Sequence, residues 1–287
     1  MKLATIRTVR DGGDPAATRA VRLDGDEAVE LGDDDVGAVL RRPGWREWAA
    51  AADGPRRPVD GLDFAPLVPR PDKIICVGLN YRSHILETGR HPPEHPTLFA
   101  KYRRALIGAH DEIVLPAVSD KVDWEAELAV VVGAEARHVT ADEAPAHIAG
   151  YSVLNDVSVR DFQNRTLQWL QGKTFEATTP IGPWLVTDTD TDTDGDEPWP
   201  RRAISCAVDD ELVQEADTAD LVFDPPTLVA YISAIVTLEP GDIIATGTPG
   251  GVGHARTPPR FLADGQVVTT RVAGIGELRN RCRKEEL

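Results

Sequence analysis

The stretch from residue 123 to residue 132, DWEAELAVVV, places two glutamates directly before a run of apolar residues. Side chains alternate between the two faces of a β-strand, so Glu125 and Glu127 are expected on the same face, about 7 Å apart along the chain. The apolar run Leu128–Val132 indicates that the strand enters the interior, where two like charges are costly unless one is protonated or a cation lies between them. A divalent metal held by oxygen ligands removes this conflict. An edge strand with a solvated acidic face is the alternative that the spacing leaves open.

A third carboxylate follows the next apolar segment. Residues 148–154 predict a buried strand, which Asn155 and Asp156 close before a predicted helix that carries Arg160 and Gln163. Arg160 and Gln163 are three residues apart, so they share a helical face close to Asp156. A carboxylate at this strand end would complete a set of hard oxygen ligands of the kind that binds Mg²⁺ or Mn²⁺. Read alone, an aspartate in the position of Asp156 is more often a helix N-cap than a metal ligand.

Two polar features elsewhere in the chain could take part in catalysis. A helical turn is predicted over Asn80–Thr88, and there Glu87 can orient the imidazole of His84 and raise its basicity, as a general base requires. Lys173 is one of only six lysines and could stabilise a developing oxyanion. Each of these residues is also common on ordinary protein surfaces. The glycine-rich stretch Gly241–Gly253 offers backbone N–H groups that could hold a carboxylate.

The remaining sequence predicts many short strands and few helices, which is typical of a mostly β, α+β fold. An Asp-Gly turn at residues 24–25, a helical segment at 45–52 and five prolines between 55 and 71 predict a small N-terminal β-rich domain at residues 1–69. A larger domain at residues 70–287 follows and carries the candidate catalytic residues. The Asp/Thr-rich segment 187–196 is interpreted as a solvated loop, because its partial calcium-loop pattern lacks the closing glutamate. Strands are expected at residues 73–79, 112–115, 124–132, 148–156, 184–187, 204–208, 211–215, 242–245 and 267–272, and helices at residues 158–166 and 226–237.

Composition limits the possible partners of the 287-residue chain. Its 47 acidic and 31 basic residues give a formal net charge of -16, which disfavours binding to nucleic acid or to anionic lipid. The three cysteines lack the spacing of a zinc site or a disulfide framework. The apolar runs are shorter than a membrane span, and the N-terminal residues lack the pattern of a secretory signal. These features predict a cytoplasmic protein without nucleic-acid or membrane partners.

Short motifs follow one another in a fixed order between about residue 70 and residue 280. They are GLNY at 78–81 with His84 and Glu87, EAEL at 125–128, Asn155-Asp156 with Arg160, Asp161 and Gln163, GKTF at 172–175, GPW at 182–184, and GDII at 241–244 continuing into TGTP at 246–249. No single motif is specific, but the ordered set resembles the fumarylacetoacetate hydrolase (FAH) family. The resemblance implies the mixed β-sandwich roll of that family.

The resemblance also implies roles for individual residues. Glu125, Glu127 and Asp156 would hold Mg²⁺ or Mn²⁺, and His84 with Glu87 would form the dyad that activates water. Gln163 and Lys173 would face the reacting oxygen of the substrate, and Tyr81, Arg160 and Thr248 would contact the substrate. Asn80 stands where the fumarylacetoacetate hydrolases proper have an acidic residue, and the N-terminal region is short. Both departures favour the acylpyruvate-type branch.

The expected activity is hydrolysis of a C–C bond. The substrate would be a 2,4-dioxo acid, an acylpyruvate such as fumarylpyruvate, and the products pyruvate and a carboxylic acid, in the catabolism of aromatic compounds. One alternative is an isomerase or decarboxylase of the same family that acts on a 2-hydroxy-dienedioate or on oxaloacetate. A second alternative, of another class, is a non-catalytic binding protein stabilised by metal. A homodimer is the oligomeric state expected from the family.

Overall fold

The structure of the chain is a computed structural model that describes residues 1–8, 17–87, 91–187, 199 and 201–286, without the side chains of His84 and Glu87. Nearly all of the predicted loop at 187–196 lies outside these residues. Within the described residues, strands dominate and helices are short. The expected mostly β, α+β fold with a mixed β-sandwich is confirmed.

A mixed sheet of 11 strands spans the described part of the chain. From one edge to the other its strands are β4 (Arg56–Pro58), β3 (Glu27–Glu30), β2 (Ala17–Asp24), β1 (Lys2–Thr8), β13 (Thr179–Thr187), β11 (Ile148–Asn155), β10 (Ala126–Val132), β16 (Ile243–Ala245), β5 (Ile74–Gly78) and β6 (Thr97–Lys101), with β7 (Leu106–Ile107) paired to β13. Strands β16 and β5 are parallel, as are β13 and β7, and the other neighbours are antiparallel.

The central strand β10 is buried on both faces, which explains its unbroken apolar run. Leu128 and Val130 belong to one hydrophobic core, and Ala129 and Val131 belong to a second core on the opposite face. The predicted alternation along the strand is therefore present, but it separates two cores rather than a core and solvent.

A second sheet of five strands covers one face of the large sheet. Its order is β15 (Glu211–Asp217), β14 (Ala203–Val208), β17 (Val267–Val272), β18 (Gly276–Lys284) and β8 (Ile113–Leu115). Residues of β14, β17 and β18 share the first core with β10 and β11. The two sheets thus form the expected sandwich, and two short strands, β9 (Val122–Asp123) and β12 (Ser158–Val159), pair beside it.

The other face of the large sheet is covered by N-terminal helices. These are α1 (Val36–Leu40) and α2 (Trp45–Ala51), whose buried residues belong to the second core. The predicted hairpin is present as β2 and β3, with its turn at Gly25. Strand β1 pairs with β13, so the N-terminal strands continue the large sheet. A separate domain at residues 1–69 stays a prediction.

The remaining helices are short and lie at the ends of strands. They are α3 (Arg82–Glu87), α4 (Arg160–Gln163), α5 (Leu170–Lys173) and α6 (Pro225–Ile235). The helix predicted at residues 158–166 is shorter than expected, because Ser158 and Val159 pair with β9 as strand β12. The strand predicted from Trp124 begins only at Ala126. No helix in the described residues combines the length and apolar character that a membrane span requires.

Candidate metal centre

Three carboxylates converge because two antiparallel neighbours end at the same place. Ala126 at the start of β10 pairs with Asn155 at the end of β11. Glu125 therefore lies beside Asp156, and the Asp156 amide donates to the Glu125 carbonyl at 2.8 Å. The side chain of Asn155 fixes this corner by accepting a hydrogen bond from the Glu125 amide at 2.9 Å. Glu127 lies two residues further along the same segment.

The three side chains form a compact and buried acidic group. One oxygen from each of Glu125, Glu127 and Asp156 lies within 4.8 Å of the other two. Their exposed fractions are 7%, 1% and 0%, respectively. Burial, together with the charges of Asp156 and Glu125, raises the pKa of Glu127 well above its usual value. A cation among these oxygens would remove that electrostatic conflict.

Two lysines compensate part of the negative charge. The Lys173 Nζ atom lies 2.5 Å from Glu125 Oε2 and 2.8 Å from Asp156 Oδ2. Lys101 Nζ lies 2.5 Å from the other oxygen of Asp156 and also donates to the Val157 carbonyl at 3.2 Å. Burial raises the pKa of Asp156, but the two ammonium groups outweigh it and the net shift is downward. Asp156 is therefore held as a carboxylate.

Lys173 itself remains protonated. Burial lowers its pKa, but the charges of Asp156 and Glu125 raise it further, and the net shift is upward. Its ammonium group is therefore a hydrogen-bond donor and a fixed positive charge, not a base. The predicted role of Lys173, stabilising negative charge on a substrate oxygen, requires such a charged donor and stays a prediction.

Arg160 connects the acidic group to the neighbouring elements. Its Nη1 atom lies 2.7 Å from Glu125 Oε1 and donates to Gln163 Oε1 at 2.8 Å. Its Nε atom donates to Asp123 at 2.8 Å. The Nη2 atom is buried and has no hydrogen-bond partner in the described residues, so one donor remains for a ligand. We call Lys101, Asp123, Glu125, Glu127, Asp156, Arg160 and Lys173 the buried cluster.

A glycine allows the backbone to approach Glu127. Gly247 has a φ of 101°, and a Cβ atom there would lie 2.9 Å from the Asn80 side chain and from the Val77 carbonyl. The Gly247 amide donates to Glu127 Oε2 at 2.8 Å. Asn80 braces the same region by donating to the Thr246 carbonyl at 2.7 Å. The glycine-rich segment thus supplies a backbone donor to a carboxylate of the cluster.

The donor set fits a hard divalent cation. Three buried carboxylates offer oxygen ligands, and these are the ligands that Mg²⁺ and Mn²⁺ prefer. Burial beside two other carboxylates raises the pKa of Glu127, and a cation bound to the three side chains would offset this repulsion. Glu125, Glu127 and Asp156 are the residues that would hold the ion, and its identity is a proposal.

A cavity of about 310 Å³ opens onto the cluster. Its walls include the predicted residues Glu125, Glu127, Arg160, Gln163, Lys173 and Thr248. Thr248 Oγ1 accepts a hydrogen bond from Gln214 at 2.9 Å. We call the solvent-exposed lining residues Asn164, His254 and Ala255 the exposed rim.

Of the predicted site residues whose side chains the structure describes, Tyr81 and Asp156 do not line this cavity. Tyr81 is fully buried, and its hydroxyl has no hydrogen-bond partner among the described residues. Burial, followed by the charge of Glu127, raises its pKa. His84 and Glu87 lie on α3, but their side chains are outside the described residues. The roles of Tyr81, His84 and Glu87 stay predictions, as do those of the residues that line the cavity.

Sequence reasoning missed two members of the buried cluster and one rim residue. Lys101 directly follows the apolar stretch 98–100, and the chain has only six lysines. This position could have indicated that Lys101 is buried. Asp123 lies two residues before Glu125, but its partners are distant in sequence. It accepts hydrogen bonds from Arg160 and from the amides of Gly253 and His254. His254 directly follows the glycine-rich stretch Gly241–Gly253, but that pattern does not mark its imidazole, and only the fold brings it to the cavity.

Comparison with known proteins identifies the family. The family model described as fumarylacetoacetate (FAA) hydrolase C-terminal matches residues 73–283. A mitochondrial oxaloacetate tautomerase of Homo sapiens is 44% identical over 235 residues, which cover 81% of this chain and 73% of the relative.

Two solved structures share the fold over the whole chain. One is a 5-carboxymethyl-2-hydroxymuconate delta-isomerase of Mycobacterium smegmatis, with a TM-score of 0.79 and 32% identity, covering 99% of this chain and 100% of that chain. The other is a maleylpyruvate hydrolase of Sphingobium sp. SYK-6, with a TM-score of 0.79, 31% identity and the same coverage. These matches confirm the resemblance carried by the sequence motifs, and the chain belongs to the fumarylacetoacetate hydrolase family.

Proposed function

We propose that the chain is a divalent-metal-dependent enzyme that interconverts the keto and enol forms of a short dicarboxylic 2-oxo acid such as oxaloacetate. The observation that carries the proposal is the position of the Lys173 ammonium group, bonded to two of the three carboxylates that would hold the ion. A substrate oxygen bound there would lie beside two positive charges, the Lys173 ammonium group and the metal ion. The name of the human relative, an oxaloacetate tautomerase, supports this choice of reaction.

The reaction needs negative charge to be stabilised at one oxygen. When the C3 proton leaves, a C2–C3 double bond forms and charge develops on the 2-oxo oxygen, which then accepts a proton. A bound Mg²⁺ or Mn²⁺ ion would supply Lewis-acid stabilisation of that charge. Lys173 would donate a hydrogen bond to the same oxygen, because its ammonium group remains protonated in the buried cluster.

Arg160 and Gln163 would orient the substrate. The Arg160 Nη2 atom is a buried donor without a partner among the described residues, and a substrate carboxylate can accept its hydrogen bond. Gln163 lines the cavity and accepts from Arg160 through Oε1, so its amide nitrogen would be the group that donates to the substrate. His84, with Glu87, is the candidate that the sequence offers for taking up the C3 proton.

Hydrolysis of an acylpyruvate is the second candidate. The maleylpyruvate hydrolase among the related structures supports it, since it shares the fold over the whole chain. His84 and Glu87 are three residues apart on α3, the spacing at which a carboxylate can orient an imidazole. In this reaction His84 would activate water, and Lys173 with Gln163 would stabilise the oxyanion before C–C cleavage releases pyruvate. Such an activity would belong to aromatic-compound catabolism.

Parallel assays on one preparation separate the candidates. The Mg²⁺-loaded protein is incubated with oxaloacetate, and the keto–enol conversion is followed by ultraviolet absorbance. The same protein is incubated with fumarylpyruvate, and pyruvate is measured. We expect accelerated tautomerisation that Glu127→Gln removes. Pyruvate release without tautomerisation would favour hydrolysis, and tight metal binding without either activity would favour the non-catalytic binding protein. A homodimer and a cytoplasmic location remain parts of this proposal.

A further inference from the structure

His254 is exposed to solvent and lines the cavity that opens onto the buried cluster. Its backbone amide donates to Asp123 Oδ2 at 2.9 Å. Among the residues that the structure describes, the imidazole of His254 has no hydrogen-bond or ion-pair partner. An imidazole nitrogen that carries a proton is a donor in either protonation state of the ring, so His254 presents a donor to the cavity without an internal competitor.

The turn that carries His254 is held by the buried cluster. Asp123 accepts hydrogen bonds from the amides of Gly253, at 2.7 Å, and His254. The same carboxylate accepts from Arg160, which also pairs with Glu125. A Cβ atom on Gly253 would lie 1.9 Å from the Arg260 carbonyl, so the turn packs directly against neighbouring backbone. The backbone at His254 is therefore held in place relative to the carboxylates that would hold the metal.

The distribution of positive charge in the cavity suggests what His254 binds. Of the described residues that line the cavity, Arg160, Lys173 and His254 can carry positive charge. Arg160 and Lys173 are both paired with Glu125 in the buried cluster. They lie where the 2-oxo acid end of the substrate would bind. A second carboxylate, at the far end of a four-carbon substrate, would be directed away from the cluster and towards the exposed rim.

We infer that His254 is a specificity-determining residue that donates a hydrogen bond to the distal carboxylate of a dicarboxylic 2-oxo acid. This inference rests on the proposed function and defines its substrate class. The enzyme prefers short dicarboxylates to 2-oxo acids that end in an uncharged group. The preference arises at the rim of the cavity, whereas the chemical step takes place at the buried cluster.

Calorimetric titration of the Mg²⁺-loaded protein tests the inference without turnover. One probe is 3,3-difluorooxaloacetate, a dicarboxylate that has no C3 proton and cannot tautomerise. The second probe is 2-oxobutanoate, which has the same four-carbon chain without the distal carboxylate. For His254→Leu we expect an affinity for the dicarboxylate about 10-fold lower, the size of a hydrogen bond to a charged group at an exposed site, and an unchanged affinity for 2-oxobutanoate. His254→Asn, which keeps a side-chain donor, should lose less.

The controls separate this inference from the proposed function. His110→Leu removes an exposed histidine that packs on Phe64 and does not line the cavity, and it should change neither affinity. In steady-state assays, His254→Leu should raise KM for oxaloacetate and keep kcat. If the wild-type protein tautomerises oxaloacetate but His254→Leu binds the dicarboxylate as tightly, the inference alone is wrong. If the loaded wild-type protein binds neither probe, the proposed function and the inference both fail.

Discussion

The buried cluster and the exposed rim border the same cavity but are built in opposite ways. Every member of the buried cluster is buried and bonded to at least one other member or to nearby backbone. The rim residues Asn164, His254 and Ala255 are exposed, and the His254 imidazole has no partner in the described chain. Changes in the cluster should therefore affect folding, metal binding and the chemical step together, whereas changes at the rim should affect substrate choice alone.

The largest effect is expected for Glu127→Ala. This change removes one of the three carboxylates that would hold the ion and should abolish Mg²⁺ binding and turnover together. Loss of a direct ligand should exceed the ~10–100-fold effect of changing a residue that only orients ligands. Mg²⁺ titration calorimetry and kcat/KM measure the two losses. Glu135→Ala, at an exposed glutamate outside the cavity, is the matched control. A Glu127 variant with full metal-dependent rate would refute the ligand assignment.

His84→Ala tests the base that the sequence predicts. General acid–base groups contribute about 100- to 10,000-fold to rate, so kcat should fall within that range. The Mg²⁺ affinity should not change, because the proposed ligands of the ion are Glu125, Glu127 and Asp156. Rate and calorimetric titration are measured on the same sample. An unchanged kcat for both oxaloacetate and fumarylpyruvate would remove His84 from the mechanism.

Lys173→Met tests the charge beside the reacting oxygen. Removing one preorganised donor to a developing oxyanion lowers kcat by about 100- to 1000-fold. The Mg²⁺ affinity should not fall, because the change removes a positive charge from Glu125 and Asp156. Metal titration beside steady-state kinetics therefore separates this variant from Glu127→Ala. A weaker Mg²⁺ affinity with an unchanged kcat would contradict the assigned role.

Lys101→Met tests the part of the cluster that does not line the cavity. The side chain of Lys101 is fully buried against Asp156, and removing one partner of a buried ion pair destabilises a protein by about 3–5 kcal/mol. Urea unfolding of the metal-free protein measures the loss. Lys121→Met, at an exposed lysine, should stay within about 0.5 kcal/mol of wild type. Equal stability of the two variants would show that the pair with Asp156 is not stabilising.

The smallest effect is expected in the pH dependence of the metal-free protein. The pKa of Glu127 is raised in the folded state, so the unfolded chain releases this proton at a lower pH than the folded chain. The folded state therefore binds more protons than the unfolded chain above the usual glutamate pKa of 4.5. As a result, the contribution of Glu127 to the free energy of unfolding falls as the pH rises above 4.5. Glu127→Gln should flatten this slope, and Mg²⁺ should reverse it. The pKa of Asp156 is lowered in the folded state, so Asp156 affects the pH dependence of stability only below about pH 3.8.

Urea unfolding in a chelator at about pH 5 to pH 8 measures this dependence, since the range lies above the pH at which Asp156 has an effect. A metal-free wild-type protein whose stability rises with pH over this range, with no difference from Glu127→Gln, would contradict the direction of the Glu127 shift. Together with His254→Leu, these measurements compare Glu127 of the buried cluster, whose protonation is linked to folding, with His254 of the exposed rim, which affects ligand choice.

Local patterns predicted much of the fold and part of the site. The apolar strands at β5, β10 and β11 and the hairpin of β2 and β3 follow periodicity and turn chemistry, which are properties of adjacent residues. The boundaries at Ser158 and Trp124 were misplaced, because pairing between β9 and β12 was not visible in either segment alone. Strand β18 was also missed, since its alternation of buried and exposed residues lies among arginines.

The sequence by itself determined that the chain belongs to a mostly β family and that Glu125, Glu127 and Asp156 stand at the ends of buried strands. Those conclusions depend on alternation and on motif order, which neighbouring residues carry. Only the tertiary structure decided that Lys101 and Lys173 both bind Asp156, and that Asp123 holds the turn of His254. These contacts join residues 17 to 131 positions apart. They depend on which strands pair and on how far loops close over them, and no local pattern of charge or hydrophobicity specifies either.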